Sequence, residues 1–286
     1  MQEKVSRRFF LKKTTGVLLT AIGLSAGGYL YARKIEPKLV DINKKTMMHT
    51  AIPAGFNGLK IVQFSDLHMG FNYTIGDLNS LVKKINRLDP DIILFTGDLV
   101  DKPNQYEGAE ALTVALEQLH ANVGKYAIYG NHDRGGWGSS LYSNIMEGAG
   151  FTLLVNDVSE ITIDDGTSIY IAGVDDALLG RPNIHESIYS IPRGAFTILL
   201  SHCPDLADEA KEYDIHYQLS GHSHGGQVRI PFVGSLVTPP YAEKYDAGKY
   251  NVDGLTLYVN RGIGTARLPF RFLCRPEVTV FTLDKK

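Results

Sequence analysis

Apolar and polar positions alternate along this chain in two rhythms. Short runs with few polar interruptions recur at KIVQFSD (60–66), DIILFTGD (91–98), KYAIYGN (125–131), SIYIAGVDD (168–176), TILLSH (197–202) and IHYQLSGH (215–222). They are rich in β-branched and aromatic residues, and each closes on a Gly, Asn, Asp or Ser signal, which predicts buried strands. Between them the spacing turns helical. Leu78, Leu81, Val82, Ile85 and Leu88 lie on one helix face, stopped by Pro90. Leu112, Leu116 and Leu119 predict a second helix, and Leu141, Ile145 and Met146 a third behind Ser139 or Ser140 as N-cap. Pro204, Leu206, Ala207 and Ala210 predict a fourth, with proline at its start. From about Thr256, LTLYVN and EVTVFTL succeed one another as antiparallel strands with no helix between them. Strand–helix alternation of this kind predicts an α/β domain with a mixed sheet, or two packed sheets flanked by helices.

Composition narrows the picture. The chain has 286 residues, is 44% apolar and carries a formal charge of −2, enough for a large core and without the basic surface that nucleic acid demands. Cys203 and Cys274 are the two cysteines, too few and too far apart to define a disulfide framework. Residues 1–32 stand apart. Lys4, Arg7, Arg8, Lys12 and Lys13 precede an uncharged run from Thr14 to Ala32, a charged region leading into an apolar one. SRRFFLK (6–12) matches the twin-arginine export signal S-R-R-x-F-L-K at every defined position. The expected organisation is a twin-arginine signal or uncleaved anchor at 1–32, a linker and first strand at 33–58, and a catalytic domain at 59–286. The twin-arginine translocase is then a partner. The chain is expected across the cytoplasmic membrane, on its outer face or in the cell wall or periplasm, with a membrane or cell-wall surface as a further partner.

The residues directly after the strands carry the chemistry. KIVQF leads into Asp66 and His68, DIILFT into Asp98 and Asp101, KYAIY into Asn131, His132 and Asp133, TILLS into His202, and HYQLS into His222 and His224. In open α/β sheets the carboxyl ends of strands form the ligand crevice, so these distant residues can meet at one edge. Imidazole, carboxylate and one carboxamide oxygen form a ligand set for borderline divalent ions such as Mn, Zn or Fe. The set exceeds the needs of one ion, and two ions sharing a carboxylate would use it fully. His49, His120, His185 and His216 lie outside the pattern.

In their order, D-x-H, G-D-x-x-D, G-N-H-D, a lone His and G-H-x-H resemble the motifs of the calcineurin-like metallophosphoesterase family, over nearly the whole chain after residue 40. GHSHGGQVRIPF and NRGIGT…RPEV are similar to its exported bacterial branch. The resemblance implies a four-layer αββα sandwich of two mixed β-sheets flanked by helices. It implies Asp66, His68 and His224 at one metal, Asn131, His202 and His222 at a second, and Asp98 bridging them. His132 resembles the family's non-ligand histidine, facing the leaving group, and Asp101 the acid that orients it, with Asp133 a rival. Lys102 stands where the protein-phosphatase branch has arginine, which argues against phosphoprotein substrates. The implied function is hydrolysis of phosphomono- or phosphodiesters by a hydroxide on a two-metal centre, with Arg261 or Arg267 against the phosphoryl oxygens. Two alternatives stand beside it: a pyrophosphatase on a nucleotide-linked lipid such as UDP-2,3-diacylglucosamine, with GIGTARLPFRFLC (262–274) touching acyl chains, and an inactive metal- or cell-wall-binding module.

Overall fold

The structure, a computed structural model, describes residues 25–135 and 139–286. The SRRFFLK motif and most of the uncharged run behind it lie outside the described residues. Among the described residues no helix is long and apolar enough to cross a membrane.

Two six-stranded sheets dominate. The first contains β1 (Asp41–His49), β2 (Lys60–Phe64), β3 (Ile92–Phe95), β4 (Gly124–Ala127), β5 (Thr152–Leu153) and β14 (Glu277–Lys285). Their order is β1-β14-β2-β3-β4-β5, all pairs parallel except β14 with β2. The second contains β6 (Asp157–Thr162), β7 (Ser168–Gly173), β8 (Thr197–Leu200), β9 (Tyr217–Ser220), β12 (Gly248–Val252) and β13 (Leu255–Val259). Its order is β12-β13-β9-β8-β7-β6, with parallel pairing from β13 through β7 and antiparallel strands at both edges. A small hairpin, β10 (Arg229–Ile230) with β11 (Gly234–Ser235), stands outside both. Segment 33–58 supplies β1, which runs beside β14 over nine register positions and so belongs to the first sheet.

Period-2 alternation puts every central strand into two cores at once. In β2 and β3, Val62, Phe64, Ile93 and Phe95 face helices Ile75–Asn86, Ala109–Glu117 and Ser139–Gly148. Ile61, Ile92 and Leu94 face the other sheet, meeting Ile171, Ile198, Leu200 and Leu219. Beyond it, Ala172, Leu199, Leu257 and Val259 pack on helices Ile184–Ile188 and Ala207–Ala210. Helix, sheet, sheet and helix make the four-layer αββα sandwich. Helix Ile75–Asn86 opens with a Thr74–Asp77 capping box. The third helix runs Ser139–Gly148. Pro204 opens a short 3₁₀ turn that runs into Ala207–Ala210.

Candidate metal centre

The carboxyl ends of β2, β3 and β4 in the first sheet face those of β8 and β9 in the second. Asp66 and His68 come after β2 and Asp98 after β3. Asn131 and His132 open the short helix Asn131–Arg134 after β4, and His202, His222 and His224 come after β8 and β9. The sheets are stitched together there. Gln63 Nε2 donates to the Ser220 carbonyl at 3.1 Å, and the His222 N–H reaches the Asp66 carboxylate at 3.1 Å. All five motifs therefore converge on one edge.

Two clusters form. Asp66, His68 and His224 lie together, with His68 Nε2 2.9 Å from His224 Nε2 and Asp66 Oδ1 3.5 Å from the latter. Asp98, His202 and His222 make the other, with His202 Nε2 3.1 Å from His222 Nδ1. Asp98 Oδ2 joins them, 3.3 Å from His202 Nε2 and 3.5 Å from His68 Nε2. Asn131 Oδ1 is buried with no hydrogen-bond partner.

This donor set fits cations. His202 gives its Nδ1 proton to the Thr96 carbonyl at 2.7 Å, and His222 gives its Nε2 proton to the Pro240 carbonyl at 2.9 Å. If both rings held this way were neutral, two lone pairs would face each other at 3.1 Å, an arrangement that a proton or a metal cation between them relieves. Burial, then the neighbouring His202, pushes His222 down to about 4, so its lone pair is available. Burial opposes charge on His202 too, but the Asp98, Asp66 and Asp176 carboxylates outweigh it and hold that ring well above the usual histidine range. His202 is thus the group whose proton a cation displaces.

The backbone is strained to aim these groups. Asp66, His68, Asp98, His222 and His224 all adopt positive φ, between 45° and 67°. For a non-glycine residue this costs roughly 1–2 kcal/mol, and such strain gathers at functional sites. Gly97, at φ +94°, permits a close approach: a Cβ there would sit 2.5 Å from Gly130 N and 2.8 Å from His202 Nδ1.

His132 stands at the rim of a cavity of about 300 Å³, lined also by His68, Asp98, Asn131, His222 and His224. Its Nδ1 donates to the main-chain carbonyl of Asp101 at 2.7 Å. Here the structure corrects the expected pairing. The Asp101 carboxylate is 3.9 Å from His132 Nδ1 but 3.3 Å from His68 Nδ1, so it is His68 that the acid serves. Asp133, the rival, accepts from the N–H groups of Asp98, Leu99 and Gly130 and locks two turns together. Arg261 is not at the cavity; it binds Glu277 at 2.8 Å and Asp41 at 3.4 Å, which corrects its expected place against phosphoryl oxygens. Arg267 does line the cavity. His49 and His216 meet edge to face, 4.2 Å between centroids and apart from both clusters, and Cys203 and Cys274 are buried and form no disulfide.

Sequence reasoning missed Arg271. It is fully buried, although Phe272 and Leu273 directly after it are exposed. Its guanidinium donates to the carbonyls of Arg261, Gly262, Gly264 and Cys274 at 2.6–3.2 Å and lies 3.5 Å from His224 Nδ1. Those carbonyls belong to the loop whose Gly262 packs against Asp66. Arg271→Met should lower unfolding stability by roughly 3–5 kcal/mol, since several buried acceptors lose their donor at once. Urea unfolding measures it; a loss under about 1 kcal/mol would mean that the loop holds itself.

A model of the calcineurin-like phosphoesterase family matches residues 59–226. Metallophosphoesterase YkuE of Bacillus subtilis is 44% identical over 281 residues, spanning 98% of each chain. Phosphodiesterase YaeI of Escherichia coli is 28% identical over 286 residues, 98% of this chain and 99% of that one. UDP-2,3-diacylglucosamine pyrophosphatase LpxG of Chlamydia trachomatis is 27% identical over 332 residues, 92% of this chain and 95% of its own. With the sandwich and the His/Asp clusters at its strand ends, the chain belongs to the calcineurin-like phosphoesterase family and is a hydrolase acting on phosphoester bonds.

Proposed function

We propose that the chain hydrolyses phosphomono- or phosphodiesters at a centre of two divalent ions, Mn, Zn or Fe. Asp66, His68 and His224 hold one, Asn131, His202 and His222 the other, and Asp98 both. The observation that carries this reading is Asp98 Oδ2, within 3.5 Å of an imidazole nitrogen from each cluster. Bound divalent ions supply Lewis acidity towards a water nucleophile and the phosphoryl oxygens. The chain's own residues do the rest. Asp98 Oδ1 accepts the His132 N–H at 2.9 Å, and the Asp101 carbonyl fixes the ring, leaving Nε2 to protonate the departing oxygen. Arg267 faces the substrate's outer oxygens. The test is a screen of metal-reconstituted protein against phosphomonoesters, phosphodiesters and nucleotide-diphospho-lipids. Turnover of none of them would overturn the reading.

A second reading, a pyrophosphatase on a nucleotide-linked lipid, is favoured by the apolar cavity walls at Leu236, Val237, Leu268 and Phe270. The last arm of the screen decides between the two.

Metal uptake should release protons, because His202 carries one that must leave before the ring can ligate. Apparent metal affinity therefore falls as pH is lowered. Titration calorimetry in buffers of different ionisation enthalpy reads the release directly; equal heats in all buffers would contradict it.

We further propose export by the twin-arginine route to the outer face of the membrane, on the strength of SRRFFLK. Replacing Arg7 and Arg8 with Lys keeps the charge but loses the guanidinium forks. The precursor should then stay in the cytosol on fractionation, whereas unchanged export would refute the route.

A further inference from the structure

Beside the metal centre the surface changes character. The β10–β11 hairpin presents Ile230, Phe232, Val233, Leu236 and Val237 to solvent. Phe232 at the turn is fully exposed, and Val233 and Val237 are about 70% exposed. The hairpin is joined to a second loop: Arg229 N–H donates to the Phe272 carbonyl and Phe272 N–H to that of Gln227, both at 2.9 Å. That loop exposes Leu268, Phe272 and Leu273. Apolar residues scattered singly over a surface need no explanation, but a contiguous group on two paired loops does. Leu236, Val237, Leu268 and Phe270 also line the mouth of the cavity that holds His68, His132 and His222.

Two observations indicate what covers this face. The first is charge. Residues 225–242 and 261–276 contain no Asp or Glu, and their charged residues are all arginines: 229, 261, 267, 271 and 275. Arg229, Arg261 and Arg275 are ion-paired to carboxylates outside the loops and Arg271 is buried, so Arg267 is the exposed cation these loops offer an anionic surface, and no carboxylate on the loops themselves opposes it. The second is continuity with the uncharged run Thr14–Ala32. Its last residues touch this same loop. Tyr29 packs edge-on against Phe270 at 5.4 Å, the Ala32 carbonyl accepts the Arg271 N–H, and Arg33 lies over the Phe270 ring at 5.6 Å. Whatever apolar phase engages that run also meets the hairpin. The tip, Pro231–Gly234, has no side-chain donor or acceptor, so it offers a protein partner little to read in register. A bilayer needs only apolar area with cations around it.

We propose that the β10–β11 hairpin and the 266–273 loop dock on an anionic lipid bilayer, with Phe232 and Leu268 entering the headgroup–acyl boundary, so that the metal-centre cavity opens at the headgroup layer. The docking stands apart from the catalytic reading, because neither its argument nor its test uses turnover.

The test uses the full chain with a single environment-sensitive thiol probe at Phe232→Cys or, as a second position, Leu268→Cys. The native cysteines are buried and leave the labelling selective. Tyr189→Cys, an exposed site after helix Ile184–Ile188 on the far layer, is the control. Vesicles of phosphatidylglycerol and phosphatidylcholine carry a quencher on their acyl chains. The expected result is a blue shift and a several-fold quenching of the probe at 232 and 268, with no change at 189. Unshifted emission at 232 and 268 on vesicle-bound protein would overturn the proposal. So would quenching equal to that at 189. Emission already blue-shifted before vesicles are added would overturn it as well, by showing that residues 14–24 or a second copy cover the face.

Discussion

Asp98→Asn should strip metal from both positions of the centre and lower turnover by roughly 10³-fold or more, since a two-metal site contributes several kcal/mol to transition-state stabilisation. The substitution is close to a pure change of charge. Asparagine has the same shape and tolerates the positive φ of 60° found at this position. Its carboxamide oxygen can still accept the His132 N–H that Asp98 Oδ1 takes at 2.9 Å. The amide nitrogen then replaces the one oxygen lying between His68 Nε2 and His202 Nε2, and it offers a donor where a cation needs an acceptor. Both clusters lose their shared anion while the fold keeps its contacts. His68→Ala should instead empty mainly one position, because apart from the shared Asp98 His68 groups with Asp66 and His224 and not with His202 or His222. Elemental analysis of metal per folded chain separates the two. Wild-type metal content in the Asp98→Asn protein would show that the carboxylate is not shared.

The legibility of this protein tracks burial. β2, β3, β8 and β9 are covered on both faces, so they read as continuous apolar runs, and the runs read from sequence contain each strand and overrun its ends by up to three residues. β6 and β12 form the edges of the second sheet and are half exposed. Their DVSEIT and GKYNV mix polar and apolar positions too freely to signal a strand, and the two-residue β10 and β11 carry no period at all. The site is legible for a different reason: histidine directly after an apolar strand is unusual, and five strand ends in one chain carry His, Asp or Asn. The support beneath the site is less visible. Arg271 is buried and satisfied by main-chain carbonyls, which exist at every residue and leave no trace in composition. The only hint is an arginine set between Phe270 and Phe272. The roles of Asp101 and Asp133 depend on which of several nearby donors each carboxylate faces, a matter of side-chain direction within turns. Sequence spacing places an acid near His132 but cannot say that Asp101 would offer its carbonyl to that ring and its carboxylate to His68.

His132→Asn should leave metal content near wild type and lower kcat by roughly 10²–10⁴ for an alkyl phosphoester, the usual contribution of a positioned acid. Three roles compete for this residue. It lies close enough to His68 and Asp98 to act as a ligand, it stands in a turn, and its ring edge faces the cavity. The geometry favours a proton donor. With Nδ1 committed to the Asp101 carbonyl, Nε2 is the titrating nitrogen. Burial alone would lower its proton affinity, but the Asp98 charge and the Asp101 carbonyl outweigh burial and hold the ring above the usual histidine value. A general acid must be protonated to act, so wild-type kcat for the alkyl ester should fall as pH rises through the pKa of His132, and the Asn variant should lack that alkaline limb. A nitrophenyl ester, whose leaving oxygen needs no proton, should lose far less. A ligand role predicts metal loss and equal damage to both esters, while a turn role predicts little effect on either. Elemental analysis, together with kcat–pH profiles for a nitrophenyl and an alkyl ester, separates the three, and an equal loss on both esters at full metal content would refute the acid.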